Sequence, residues 1–119
     1  VINYHEGERA DPRTRKVAAD FGLEVTHLAR QIRPRDLFDF HYILNMEAAV
    51  HEQVLQMHRS RSQARSQVLL MRSFDPQAPQ EPNVPDPYYH DEAAFLAMYH
   101  ILERSCAALL AHMRATHGL

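Results

Sequence analysis

The stretch at residues 40–46 is the feature that most limits which fold this chain can adopt. It is mainly apolar and contains aromatic and β-branched side chains, a pattern typical of a strand buried in a parallel sheet. Residues 67–70 predict a second strand. The C-terminal end of that strand leads into residues 71–75, and ligands bind at this edge in open α/β sheets.

Helix signals flank these strands. Asp11 is placed to cap a helix whose first turn contains Pro12, and Gly22 is placed to end it. Its predicted apolar face consists of Val17, Ala18 and Phe21. Residues 34–39 predict a single helical turn, and residues 47–58 predict a helix with a modest apolar face.

The longest predicted helix begins after Asp91, which is its expected N-cap, and it is predicted to pack on the sheet. Apolar side chains recur there at helical spacing: Phe95, Met98, Tyr99, Leu102, Cys106, Leu109, Leu110 and Met113. Because Cys106 lies on this stripe, it is predicted to be a core residue. An apolar environment raises the pKa of a thiol, which is the opposite of what a nucleophile requires.

Composition excludes several classes of protein. The chain has 119 residues, enough for one domain, and 13 Lys and Arg against 15 Asp and Glu provide no overall field for nucleic acid or an anionic membrane. The basic stretch at residues 59–66 has no interleaved aromatics and predicts a solvated loop. No unbroken apolar run approaches the ~20 residues of a membrane span. The residues from Val1 onward lack the basic and apolar regions of a signal peptide, so a cytoplasmic protein is expected.

Neither a metal nor a cofactor is predicted. The nine histidines show no paired ligand spacing with a carboxylate or thiol. His51-Glu52 resembles the start of a zinc-protease motif, but Leu55 occupies the place of its second histidine. The single cysteine excludes an internal disulfide.

Asp86 is the candidate for acid chemistry. Five of the seven prolines fall between Pro76 and Pro87 and predict a stiff loop that carries this carboxylate. Tyr88 and Tyr89 follow it directly. If a closing pocket and these rings desolvated Asp86, the protonated form would be favoured, and it could then protonate a leaving oxygen near neutral pH.

Four motifs resemble the low molecular weight protein-tyrosine phosphatases. They are Asp86-Pro87-Tyr88-Tyr89, Ser73-Phe74-Asp75-Pro76, Asp11-Pro12-Arg13, and the stretch from His27 to Ile32 that contains Ala29-Arg30-Gln31. The resemblance implies an α/β fold in which helices flank a parallel sheet. It also implies that the family's first strand and nucleophile loop are lacking from this chain.

The resemblance further implies hydrolysis of a phosphotyrosine protein or a small aryl phosphate through a cysteinyl-phosphate, with Asp86 as the general acid. It places Tyr4, Tyr88 and Tyr89 on the rim of the substrate pocket. His27 would support the nucleophile loop by bonding one of its asparagines. The residues alone favour a surface aromatic at Tyr4 and a hydrogen-bonded structural histidine at His27.

The phosphatase Cys-x5-Arg signature is not met at Cys106, because His112 stands where the arginine is required. We therefore expect residues 1–119 to be a single, N-terminally incomplete domain that is inactive alone. It would be a fragment of a full phosphatase, a chain completed by a second copy or a complementing N-terminal segment, or a divergent remnant. A non-catalytic interaction module remains the alternative function, whereas arsenate reduction requires cysteines that the sequence does not contain.

Overall fold

A computed structural model describes residues 5–119. In chain order the elements are helix α1 (Pro12–Asp20), helix α2 (Asp36–Asp39), strand β1 (Tyr42–Asn45), helix α3 (Ala48–Arg59), strand β2 (Gln67–Leu70), a 3-10 turn (Met71–Phe74) and helix α4 (Glu92–His117). Tyr4, one of the predicted rim residues, lies outside the described residues.

The two strands pair in parallel and are joined by α3, so the α/β prediction is confirmed. Tyr42 lies opposite Gln67, and Asn45 lies opposite Leu70. Strand β1 starts two residues later than residues 40–46 suggested, because the Phe40 N–H still donates to the Asp36 carbonyl and closes α2. The parallel arrangement brings the carboxyl ends of both strands to one edge.

Helix α1 begins and ends where its local signals predicted. The Asp11 carboxylate accepts from the Arg13 N–H at 2.8 Å, and Gly22 after the helix has a positive φ of 80°. Val17 and Ala18 are buried as expected. Phe21 lines the same apolar groove as Val17 and Ala18, as expected, although it lies just beyond the helix, stays 44% exposed and stacks on the Tyr99 ring at 4.3 Å.

Helix α4 is capped by Asp91 as predicted, since this carboxylate accepts from the Ala94 N–H. Its packing differs from the prediction, because α4 lies mainly against α1 and the 3-10 turn. The buried residues of the helix are Phe95, Ile101 and Ser105. The predicted burial of Cys106 is therefore wrong, and Leu110 is exposed as well.

Among residues 5–119, α4 is the one helix that is long and apolar enough to cross a membrane. It has 26 residues, and an 18-residue window within it reaches a mean hydropathy of 1.3. Length and composition alone are weak evidence, because core helices pass the same test. Arg104, near the middle of α4, is paired with the buried Asp75, which joins the helix to the rest of the domain.

An ion pair holds the chain that leads into β1. Arg30 donates from Nη1 and Nη2 to the two oxygens of Asp36, at 2.9 and 2.8 Å, and the Arg33 N–H adds a third bond at 2.8 Å. The Arg30 guanidinium lowers the pKa of Asp36 to about 2. The arginine of the Ala29-Arg30-Gln31 motif therefore has a structural role that fixes residues 30–36.

Candidate active site

The segment at residues 76–90, here called the acid loop, is fastened to the end of β1. The Val84 N–H donates to the Met46 carbonyl at 2.7 Å. The Asn83 side chain accepts from the Ala48 N–H at 2.8 Å, and the Asn83 carbonyl accepts from Arg72 at 2.9 Å. These bonds bring the acid-bearing turn to the edge of the sheet at which α/β proteins bind ligands.

Asp86 occupies a tight local turn. Its Oδ1 accepts from the Tyr88 N–H at 3.0 Å, and the intervening Pro87 is buried. The fixed φ of proline and this side-chain bond limit the positions that the carboxylate can take. Asp86 itself is exposed to solvent.

A crevice of about 470 Å³ lies beside Asp86. It is lined by the end of β1, the start of α3, the acid loop and α4: Leu44, Asn45, Met46, Glu47, Val50, Val84, Pro85, Asp86, Pro87, Met98 and Leu102. The buried Asn45 also bonds the His51 ring at 3.2 Å. Asp86 therefore lies at a crevice by the strand ends, the location that acid chemistry on a bound ligand requires.

The two loop tyrosines project to solvent. Tyr88 is 49% exposed and Tyr89 is 92% exposed, and their rings meet edge to face at 4.9 Å. This arrangement suits rim residues that contact an incoming aromatic group. Because Asp86 is exposed, however, the rings do not desolvate it in this structure.

His27 does not line the crevice. It is exposed, and it makes no hydrogen bond to any residue in the range 5–119. A hydrogen-bonded structural histidine, favoured by the residues alone, is therefore not seen in this part of the chain. The neighbouring Leu28 forms an isolated antiparallel bridge with Arg9, which attaches the segment after Tyr4 to the His27 segment.

A larger apolar groove of about 570 Å³ is lined by residues of α1 and α4 and shares Met98 and Leu102 with the crevice. Cys106 is exposed on its wall. Partial burial among these apolar neighbours raises the pKa of the Cys106 thiol, as expected from the sequence. A thiol with a raised pKa is a poor nucleophile at neutral pH.

No group of three or more His, Cys, Asp and Glu side chains suited to a metal ion occurs among the residues that the structure describes.

Sequence reasoning missed the role of Arg13. Its Nη2 donates to the Tyr88 carbonyl at 3.0 Å, so helix α1 contacts the acid loop directly. The Asp11-Pro12-Arg13 motif was the one available signal. It could not show the target of the guanidinium, which lies 75 positions further along the chain.

Comparison with known proteins identifies the family. Residues 1–118 match the model of the family described as low molecular weight phosphotyrosine protein phosphatase. The chain belongs to this family. The motifs that suggested the family therefore occur in a chain that matches it almost from end to end.

The relatives agree with this assignment. The chain is 35% identical over 112 residues to a low molecular weight protein-tyrosine-phosphatase of Streptomyces coelicolor, covering 93% of this chain and 68% of the relative. It is 31% identical to the low molecular weight phosphotyrosine protein phosphatase of Sus scrofa, covering 96% and 71%. The chain thus spans about 70% of the length of these two relatives.

A solved structure of the family has the same fold. The protein tyrosine phosphatase of Entamoeba histolytica, crystallised with Hepes in its active site, superposes with a TM-score of 0.80 at 31% identity. The match covers 97% of this chain and 70% of that one. That phosphatase therefore shares the arrangement of helices and parallel strands described above.

Proposed function

We propose that these residues form the acid-bearing part of a protein-tyrosine phosphatase that hydrolyses phosphotyrosine proteins or small aryl phosphates. One observation carries the proposal: Asp86 lies on a braced turn beside a crevice at the carboxyl end of β1. That location is where a phosphate ester held at the sheet edge would place its leaving oxygen.

In the proposed reaction a cysteine thiolate attacks phosphorus, and the bond from phosphorus to the phenolic oxygen breaks. The leaving oxygen takes the proton of Asp86, giving a neutral phenol and a cysteinyl-phosphate. The Asp86 carboxylate then accepts a proton from water as the water oxygen attacks phosphorus. This second step releases inorganic phosphate and the thiolate. No cofactor takes part.

We place the nucleophile and the phosphate-binding arginine outside these 119 residues, so that the chain alone is inactive. Two observations support this placement. The Cys106 thiol has a raised pKa and lies on the wall of the apolar groove, and His112 stands where an arginine would be required. The segment that carries the nucleophile and this arginine would belong to the same polypeptide, a second copy or a complementing partner.

The remaining site residues keep the roles that the resemblance assigns to them. Tyr88 and Tyr89 form the rim together with Tyr4, which is outside the described residues, and His27 supports the phosphate-binding loop. The exposure of Tyr88 and Tyr89 supports their assignment to the rim. His27 is also exposed, so its ring is accessible to the phosphate-binding loop. We further propose a single α/β domain working in the cytoplasm.

The proposal is tested by the kinetics of the longest protein whose coding sequence includes these residues, here called the longest encoded protein. Asp86→Asn should lower kcat for an aryl phosphate by about 100-fold or more, because it removes the transferable proton but keeps the size of the side chain. Asp20→Asn is the matched control, since Asp20 is an exposed carboxylate remote in sequence from the loop. Cys106→Ser should leave kcat within about twofold. Full activity of Asp86→Asn, or loss of activity in Cys106→Ser, would contradict the proposed roles.

A non-catalytic interaction module is the second candidate, favoured by the exposed pair Tyr88 and Tyr89. It predicts a stable 119-residue species that binds a partner through these rings and shows no turnover even in its longest encoded form. Intact-mass measurement together with an aryl phosphate assay separates the two candidates.

A further inference from the structure

Arg13 joins helix α1 to the backbone of the acid loop. Its Nη2 donates to the Tyr88 carbonyl at 3.0 Å, and its Nη1 donates to the His90 carbonyl at 3.2 Å. The guanidinium also lies 5.7 Å from the centroid of the Tyr88 ring. One side chain therefore contacts the loop at three points just after the acid.

The guanidinium is itself held firmly. Asp11 accepts from Arg13 Nε at 3.1 Å and from Nη2 at 3.0 Å, and the carboxylate raises the pKa of Arg13. The Arg13 side chain also stacks on the ring of the buried Phe95, 4.3 Å from its centroid. Because Asp11 and Phe95 both hold the planar Arg13 guanidinium, this group is suited to keeping other groups at defined positions.

The contacts form a chain that ends at the acid. Tyr88 accepts from Arg13 through its carbonyl and donates through its N–H to Asp86 Oδ1, 3.0 Å away. A shift of the Tyr88 backbone would therefore move the hydrogen bond that orients the Asp86 carboxylate.

Capping of α1 does not explain these contacts. The cap is the bond from the Arg13 backbone N–H to the Asp11 carboxylate, which any residue except proline at position 13 would preserve. The guanidinium is thus available for a separate task, and its partners in the loop indicate what that task is.

We propose that Arg13 is a positioning residue for catalysis: it fixes the Tyr88 backbone and thereby the direction in which Asp86 delivers its proton. The inference rests on the proposed function of Asp86. It adds that the acid loop is controlled from α1, an element that does not line the crevice.

Amide hydrogen exchange of the longest encoded protein tests the contact without any assay of activity. In Arg13→Ala the N–H groups of Tyr88 and His90, which bond Asp86 Oδ1 and the Pro87 carbonyl, should exchange about tenfold faster. Arg15→Ala is the matched control, since Arg15 lies on the same helix and donates to the Ala10 carbonyl. Equal exchange in the two variants would overturn the proposal.

Leaving-group dependence tests the catalytic consequence in the longest encoded protein. A poor leaving group, such as an alkyl phosphate, needs the proton of Asp86 more than a nitrophenyl phosphate does. Arg13→Ala should therefore lower kcat about tenfold more on the alkyl ester, with Arg13→Lys intermediate because an ammonium lacks the planar fork. Equal losses on both esters would indicate a merely structural role and overturn the proposal.

A double variant separates the two proposals. If Arg13 acts through Asp86, adding Arg13→Ala to Asp86→Asn should cost less than about twofold more in kcat. Additive losses would overturn the role of Arg13 and leave that of Asp86 intact. Full activity of Asp86→Asn alone would instead remove the proposed acid, while the exchange experiment would still decide whether Arg13 holds the loop.

Discussion

Arg104 clamps Asp75 with two hydrogen bonds, from Nε to Oδ1 at 2.7 Å and from Nη2 to Oδ2 at 3.0 Å. Asp75 is fully buried, at 0% exposure, and also accepts from the Gln77 N–H and from Arg72. The Arg104 guanidinium lowers the pKa of Asp75 far below its usual range. This pair connects α4 to the residues that open the acid loop.

Replacement of Asp75 by asparagine should lower the free energy of unfolding by about 3 kcal/mol, because it leaves a guanidinium without its buried counter-charge. Urea unfolding of the longest encoded protein measures the change. Asp39→Asn is the control, since Asp39 pairs with Arg35 on the surface and should cost less than about 0.5 kcal/mol. Similar costs for the two variants would show that the pair does not stabilise the fold.

The free energy of unfolding should decrease at acid pH, because the pKa of Asp36 is lower in the folded chain than in the unfolded chain. Its pKa is about 2 in the folded chain, compared with 3.8 for an unperturbed aspartate. A lowered pKa stabilises the fold above the unfolded value, so this contribution is complete above about pH 5 and disappears as pH falls towards 2. Asp75 acts in the same direction.

Urea midpoints between pH 7 and pH 2.5 check this dependence. The contribution of Asp36 corresponds to about 2 kcal/mol at neutral pH. Asp36→Asn should therefore be less stable than the parent chain at pH 7 and approach it as pH falls. A constant difference across this range would mean that Asp36 titrates alike in the folded and unfolded chains.

Removal of the Tyr89 ring should affect substrate binding without affecting the fold. Because Tyr89 is 92% exposed, Tyr89→Ala should change the free energy of unfolding by less than about 0.5 kcal/mol. In the longest encoded protein it should raise KM for an aryl phosphate about fivefold, since aromatic contacts contribute on the order of 1 kcal/mol. Tyr89→Phe keeps the ring and should have the KM of the parent protein. An unchanged KM in Tyr89→Ala would show that Tyr89 is not a rim residue.

Much of the fold followed from local sequence. Asp11 and Asp91 were recognised as caps because a side-chain oxygen just before a helix bonds its first free N–H groups. The strands at Tyr42–Asn45 and Gln67–Leu70 were found from short apolar runs. The face of α4 that would be buried was less predictable, because apolar residues surround much of that helix and its partners decide which side is covered.

Some features of the candidate site were likewise predictable from local sequence, whereas others depended on tertiary packing. Local sequence determined that residues 76–90 form a proline-stiffened loop carrying Asp86 beside two tyrosines, because proline restricts the backbone wherever it occurs. Only the tertiary structure decided that Arg13 reaches the Tyr88 carbonyl, that Arg104 pairs with Asp75, and that Cys106 is exposed. Those outcomes depend on how distant elements pack, and the partners of a charged side chain are set by which segments the fold brings within hydrogen-bonding distance.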